Sequence, residues 1–201
     1  MNKRLVALGL RLAFAAIATA GVVVQLTIAI RTGFSVVSFF SYFTILSNLL
    51  GSAVFTVSAI ALVQQRPQPD AWRGAATVYL LFVGLVFNTL LLDVDLGELL
   101  PWVNFVHHRA MPLVVLLDWA LWPPQASIGR ATALRWTLFP VVYVIYSLVR
   151  GAATGFYAYP FFDAPTLGYA GVAVYCGAML VAFVALALGV RWMGRRLQGR
   201  D

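Results

Sequence analysis

Two histidines, one cysteine and seven carboxylates are spread over 201 residues, which leaves little material for most kinds of site. The lone Cys176 rules out a disulfide framework and a Cys-rich metal centre. Within its apolar run it reads as a small buried side chain. His107 and His108 are adjacent and belong to no HExxH motif, so no set of three zinc ligands can be assembled. Haem held by two histidines of one chain needs them on separate elements, which adjacency forbids. There is no GxSxG nucleophile elbow and no glycine loop of the phosphate-cradling kind. Neither a metal nor a cofactor is expected.

Charge is equally scarce. Asp, Glu, Lys and Arg make up 10% of the chain and hydrophobic residues 62%. Soluble domains run nearer 25% charged and 45–50% apolar. The composition is that of an all-α integral membrane protein. The net charge of +7 comes from 14 Lys and Arg residues that sit mostly between apolar runs. Nucleic-acid binding needs such charges gathered on one exposed face, so membrane topology is the better explanation and no nucleic-acid partner is expected.

A spanning helix needs about 20 mostly apolar residues. Six stretches qualify, at 5–30, 39–62, 74–92, 102–121, 133–152 and 168–192. Short connections between them predict antiparallel neighbours in one six-helix transmembrane domain over residues 1–201. Lys3-Arg4, the apolar run and Ala18-Thr19-Ala20 also resemble a signal peptide. The run continues to Ile30, too long for an ordinary signal core, and a retained span is favoured.

Basic residues set orientation. Lys3, Arg4, Arg66, Arg73, Arg130, Arg135, Arg191, Arg195, Arg196 and Arg200 fall on one side. Arg31 and Arg150, with Asp93, Asp95, Glu98 and Asp163, fall on the other. Both termini are therefore predicted cytoplasmic. Trp72, Trp119, Trp122, Trp136 and Trp192 lie near the cytoplasmic ends of spans, as in an interfacial aromatic belt.

The segment WVNFVHHRAMPLVVLLDW (102–119) is apolar enough for a membrane yet holds both histidines, Asn104, Arg109, Pro112 and Asp118. Ionisable residues at such depth are costly and face a bundle interior or a wet cavity, so they mark a functional site by default. Thr44 and His108 are each about six residues into spans running in the same direction, roughly 9 Å of helix. Thr44 and Asn48 are i,i+4 and share a face, as do Asn104 and His108. His107 points about 100° away from His108 and cannot serve the same small site. Pro112 cannot donate to the carbonyl of His108 and is expected to kink the helix there. Asp118 is expected to pair with a cation, Arg11 being a candidate. Each residue also has a plainer role. A membrane Thr usually bonds its own backbone, and Asn48, Asn88 and Asn104 can simply link helices.

Three blocks together resemble the androgen-induced/androgen-dependent TFPI-regulating protein family of multi-span membrane proteins, in its bacterial branch. They are Tyr42-Phe43-Thr44, then Trp102-Val103-Asn104 followed by His108, Pro112 and Asp118-Trp119, and then residues 143–155 with Tyr157 and Tyr159-Pro160-Phe161. Animal members carry His directly after the Asn, where this chain has Phe105. They are described as hydrolases of fatty acid esters of hydroxy fatty acids. The resemblance implies Thr44 as nucleophile and His108 as its base, with a lipid ester as substrate and membrane lipids as surroundings.

The chemistry expected is acyl transfer to water. His108 takes the Thr44 proton as the hydroxyl attacks, then protonates the leaving alkoxide. Asn48, Asn88, Asn104, Arg109, Arg150 and Tyr157 are the candidates for oxyanion stabilisation or substrate binding. Arg109 or Arg150 can hold a lipid carboxylate, and Tyr157 and Tyr159 stand at the mouth. The alternative is a non-enzymatic lipid-binding protein or small-molecule transporter with an outward-facing polar pocket. Nothing in the sequence sets an oligomeric state.

Overall fold

A computed structural model describes residues 3–94 and 99–198. Asp95, Glu98 and Arg200, used above for orientation, lie outside the described residues. No strand occurs among the described residues. The helices are α1 (Lys3–Arg31), α2 (Val36–Phe39), α3 (Phe43–Val63), α4 (Asp70–Leu90), α5 (Pro101–Phe105), α6 (Met111–Leu121), α7 (Arg130–Arg135), α8 (Leu138–Thr154) and α9 (Ala164–Leu197). A π turn at Val106–Ala110 joins α5 to α6, and a 3₁₀ turn at Pro160–Phe162 precedes α9.

Five helical segments have the length and apolar composition to cross a membrane: α1, α3, α4, α7 with α8 (Arg130–Thr154), and α9. They mark an integral membrane protein. The fourth stretch expected from the sequence is helical from Pro101 to Leu121, but in three pieces. Pro112 explains the break. It has no N–H to offer the carbonyls four and five residues back, His108 and His107. The helix answers with one wide turn, in which the Met111 N–H reaches Val106 O. The expected kink is thus a π turn, a feature common at functional sites. Side-chain amides approach both carbonyls: Asn48 Nδ2 lies 3.4 Å from His107 O and Asn88 Nδ2 3.5 Å from His108 O.

The second stretch also differs from expectation. The helix begins at Phe43 rather than Phe39, because Val36–Phe39 forms a separate turn capped by Ser35. Thr44 is therefore the second residue of α3, not six residues inside a helix.

Both ends of the described chain lie at one end of the bundle. Arg4 bonds the Leu62 carbonyl there, and Gln198 Nε2 donates to Pro124 O at 3.0 Å. At this terminal end α1, α4 and α6 meet around four buried charges. Asp118 Oδ1 accepts from Arg11 Nε at 2.7 Å, and Asp118 Oδ2 from Arg73 Nη2 at 2.8 Å. Arg73 Nη1 reaches Asp70 Oδ1 at 2.9 Å, and Asp70 Oδ2 accepts the Gln125 N–H at 2.6 Å. Arg11 is thus a partner of Asp118, as the sequence suggested. Arg73 belongs to the buried network rather than to a loop. Burying charge is tolerable only with such pairing, and removal of one member leaves an uncompensated ion.

The aromatic belt needs a correction as well. Trp72 and Trp192 are exposed, but Trp119 and Trp136 are buried in the core. Gly74 and Gly194 leave room for the Trp119 ring, and its Nε1–H is satisfied by Val190 O at 2.9 Å.

Candidate active site

Thr44 and His108 come together at the N-terminus of α3. Thr44 Oγ1 lies 3.4 Å from His108 Nε2. On the other side of the ring, His108 Nδ1 lies 2.7 Å from Asn104 Oδ1 and 3.2 Å from Asn104 O. Both of those oxygens only accept, so Nδ1 carries the proton and Nε2 presents its lone pair to the Thr44 hydroxyl. The contact is longer than an ideal hydrogen bond, as catalytic contacts often are without substrate. Phe87 stacks on the imidazole with ring centroids 3.9 Å apart and planes 17° apart. Gly84, one turn earlier on α4, permits this closeness: a Cβ there would sit 3.0 Å from the Pro112 ring.

A third side chain completes the cluster. Tyr159 is buried, and its hydroxyl lies 3.3 Å from Thr44 Oγ1 and 3.3 Å from Thr44 N. The sequence reading put Tyr159 at the mouth; here it contacts the candidate nucleophile. Gly155, at φ 73°, ends α8 in the left-handed conformation that glycine adopts readily, and the chain then turns back towards the bundle. Burial pushes the Tyr159 hydroxyl up to about 12, so it stays protonated at neutral pH and keeps a hydrogen-bond donor.

Asn104 orients His108 and is occupied in doing so. Asn48 is fully buried, with Nδ2 donating to Thr44 O at 2.9 Å as well as approaching His107 O, so its amide faces the helix backbone rather than the Thr44 hydroxyl. Asn88 Nδ2 donates to Gly84 O at 2.7 Å. Arg109 is exposed, and its Nε approaches Asn88 Oδ1 at 3.4 Å. Arg150 donates to Ser38 Oγ at 3.0 Å and lies over the Phe156 ring at 4.5 Å, which fixes it on α2 and the loop after α8. Tyr157 packs its ring on Gly151 of α8. His107 turns away from His108, with Nε2 3.0 Å from Ala18 O, and so links the π turn to α1.

Thr44 and Tyr159 also line a cleft of about 200 Å³ between α4, α8 and α9. Phe87 forms part of its wall and stands between the cleft and His108. Among the described residues no group of three or more His, Cys, Asp and Glu gathers as a metal site.

No family model, no curated protein and no solved structure matches this chain. The family reading therefore rests on the three residue blocks.

Proposed function

We propose that the protein is an intramembrane hydrolase of lipid (fatty acid) esters, with Thr44 as nucleophile and His108 as general base. The observation that carries the reading is the sequence of contacts Thr44 Oγ1–His108 Nε2–His108 Nδ1–Asn104 Oδ1, at 3.4 and 2.7 Å. Nucleophile, base and orienting acceptor follow the logic of hydrolytic triads on unrelated folds. The blocks around Thr44, Asn104–His108 and Tyr159 support membership of the androgen-induced/androgen-dependent TFPI-regulating family. The distribution of Lys and Arg supports six spans with both termini cytoplasmic, in a bacterial inner membrane, and the site towards the outer leaflet.

In this mechanism His108 Nε2 accepts the Thr44 proton as Oγ1 attacks the ester carbonyl. The carbonyl oxygen becomes the oxyanion and takes hydrogen bonds from the Tyr159 O–H and the backbone N–H of Thr44. That N–H belongs to the first turn of α3, where the helix has no internal acceptor for it; without substrate it donates to Tyr159 Oη at 3.3 Å, and the oxyanion takes over that bond. His108 then gives its proton to the leaving alkoxide. Water, deprotonated by the same imidazole, attacks the acyl-threonine and releases the acid. Asn104 keeps the imidazole in the required tautomer throughout.

The test is hydrolysis of long-chain fatty esters by the purified protein. Thr44→Ala and His108→Ala should each lose at least about a hundredfold in rate, the low end of what general-base catalysis contributes. Thr44→Ser should retain turnover. Wild-type rates in Thr44→Ala would remove the nucleophile assignment. The second reading, a lipid-binding protein or transporter, draws on the cleft alone and expects binding that is indifferent to Thr44 and His108, with no turnover.

A further inference from the structure

The cleft beside Thr44 has all its free polarity at one end. Thr44 and Tyr159 supply it, while the walls from Phe82 to Leu91 on α4 and from Cys176 to Phe183 on α9 are apolar. Tyr143 also lines the cleft, but its hydroxyl is already committed to Ser41 O at 2.8 Å. From Leu91, the C-cap of α4, down to Phe82 is nine residues, roughly 14 Å at the helical rise. The shape therefore suits a ligand with one polar end and an unbranched apolar remainder.

The rim of the cleft faces outwards. Val141 and Ile145 of α8 and Leu180 of α9 line it, yet are 41%, 58% and 48% exposed. α8 buries only Tyr143, Ser147 and Gly151, so it touches the bundle along one narrow stripe. In a membrane those exposed residues meet hydrocarbon, so the opening is continuous with lipid tails rather than with water. At the deep end, Phe183 is 1% exposed and packs on Tyr79 and Phe82 with ring centroids 5.8 and 5.3 Å apart. It forms a floor.

We propose that this cleft is the binding site for a single fatty acyl chain, which enters sideways from the membrane between α8 and α9, and that Phe183 limits the length of chain accepted. The carbonyl then lies at Thr44 and Tyr159, and the leaving group lies on the His108 side of Thr44. The placement of the carbonyl rests on the hydrolase reading; the chain in the cleft does not.

The experiment is photolabelling of the protein in phosphatidylcholine vesicles by a long-chain fatty acid with a diazirine near its methyl end. Adducts are mapped by peptide. They should concentrate on residues 82–91 and 176–183 and be competed by unlabelled fatty acid. With competitor at about ten times its dissociation constant, labelling should fall roughly tenfold by mass action. Met179→Trp, which fills the cleft, should remove the adducts, and Phe183→Ala should shift the best competitor to longer chains. If Thr44→Ala labels normally and also hydrolyses esters normally, the hydrolase reading fails and the acyl site stands. Adducts spread evenly over the outer faces of α1 and α9, or competition by a sterol and not by fatty acid, would overturn the acyl site. So would full labelling of a folded Met179→Trp protein. An unchanged competitor preference in Phe183→Ala would remove the floor.

Discussion

The two ends of the bundle hold two polar clusters of opposite character. At the terminal end, Arg11, Asp118, Arg73 and Asp70 form two pairs of opposite formal charge, joined by contacts of 2.7–2.9 Å. Each carboxylate oxygen has a donor. At the other end, Thr44, His108, Asn104 and Tyr159 are formally neutral. Their contacts at Thr44 are 3.3–3.4 Å, and the hydroxyl opens on an apolar cleft. Buried polarity alone does not distinguish a fastening from a reactive site. Charge, contact length and what lies next to the atoms do. The charged cluster commits its carboxylates to short ion pairs, although Arg73 Nε is left without a partner among the described residues; the neutral one has longer contacts, among Thr44, His108 and Tyr159, that a ligand can exchange, and an adjacent cavity.

Substitutions can break or sharpen this contrast. The largest effect is expected from Asp118→Ala, which leaves Arg11 and Arg73 without their shared carboxylate. Loss of one partner from a buried pair costs about 3–5 kcal/mol. Thermal unfolding followed by Trp fluorescence should show a large drop, with the residual folded fraction still hydrolysing ester. Normal stability would mean the terminal cluster is not a fastening. Next is Tyr159→Phe, which removes one oxyanion donor. The rate should fall about 10²–10³-fold while unfolding stays near wild type. Equal losses in stability and rate would make Tyr159 a packing residue instead. The smallest is Asn88→Ala. It removes one long amide contact to the His108 carbonyl, and a net loss of about 0.5–1.5 kcal/mol in stability is expected, with activity kept within a fewfold.

The parts of this arrangement that follow from local spacing were legible in the sequence. The i,i+4 relation of Asn104 and His108, the divergence of His107, and the pairing of Asp118 with Arg11 all follow from helical periodicity and the high cost of an unpaired buried charge. The parts that depend on tertiary contact were not. Pro112 signals a missing donor, but whether a helix kinks or widens into a π turn depends on neighbours such as Asn48 and Asn88. The hydrophobic run starts α3 four residues early because Phe39, Phe40 and Tyr42 are aromatic, and the observed N-cap is Tyr42, which makes no side-chain cap bond, rather than Ser41. Tyr159 lies 115 residues from Thr44, on a loop. Two tyrosines two apart look alike in sequence, and only the path of the chain after Gly155 separates the one that packs on α8 from the one that meets Thr44. Trp119 and Trp136 sit where a belt is expected, but glycines at 74 and 194 make room for Trp119 inside.

The central claim is that Thr44 is an activated nucleophile. The most direct measurement is labelling of the purified protein by a fluorophosphonate probe, which reacts only with hydroxyls that a neighbouring base has made nucleophilic. Wild type should label stoichiometrically at Thr44, and labelling should vanish in both Thr44→Ala and His108→Ala while both variants remain folded and unfold cooperatively. Labelling that survives in folded His108→Ala, or a folded wild type that does not label at all, would contradict the account.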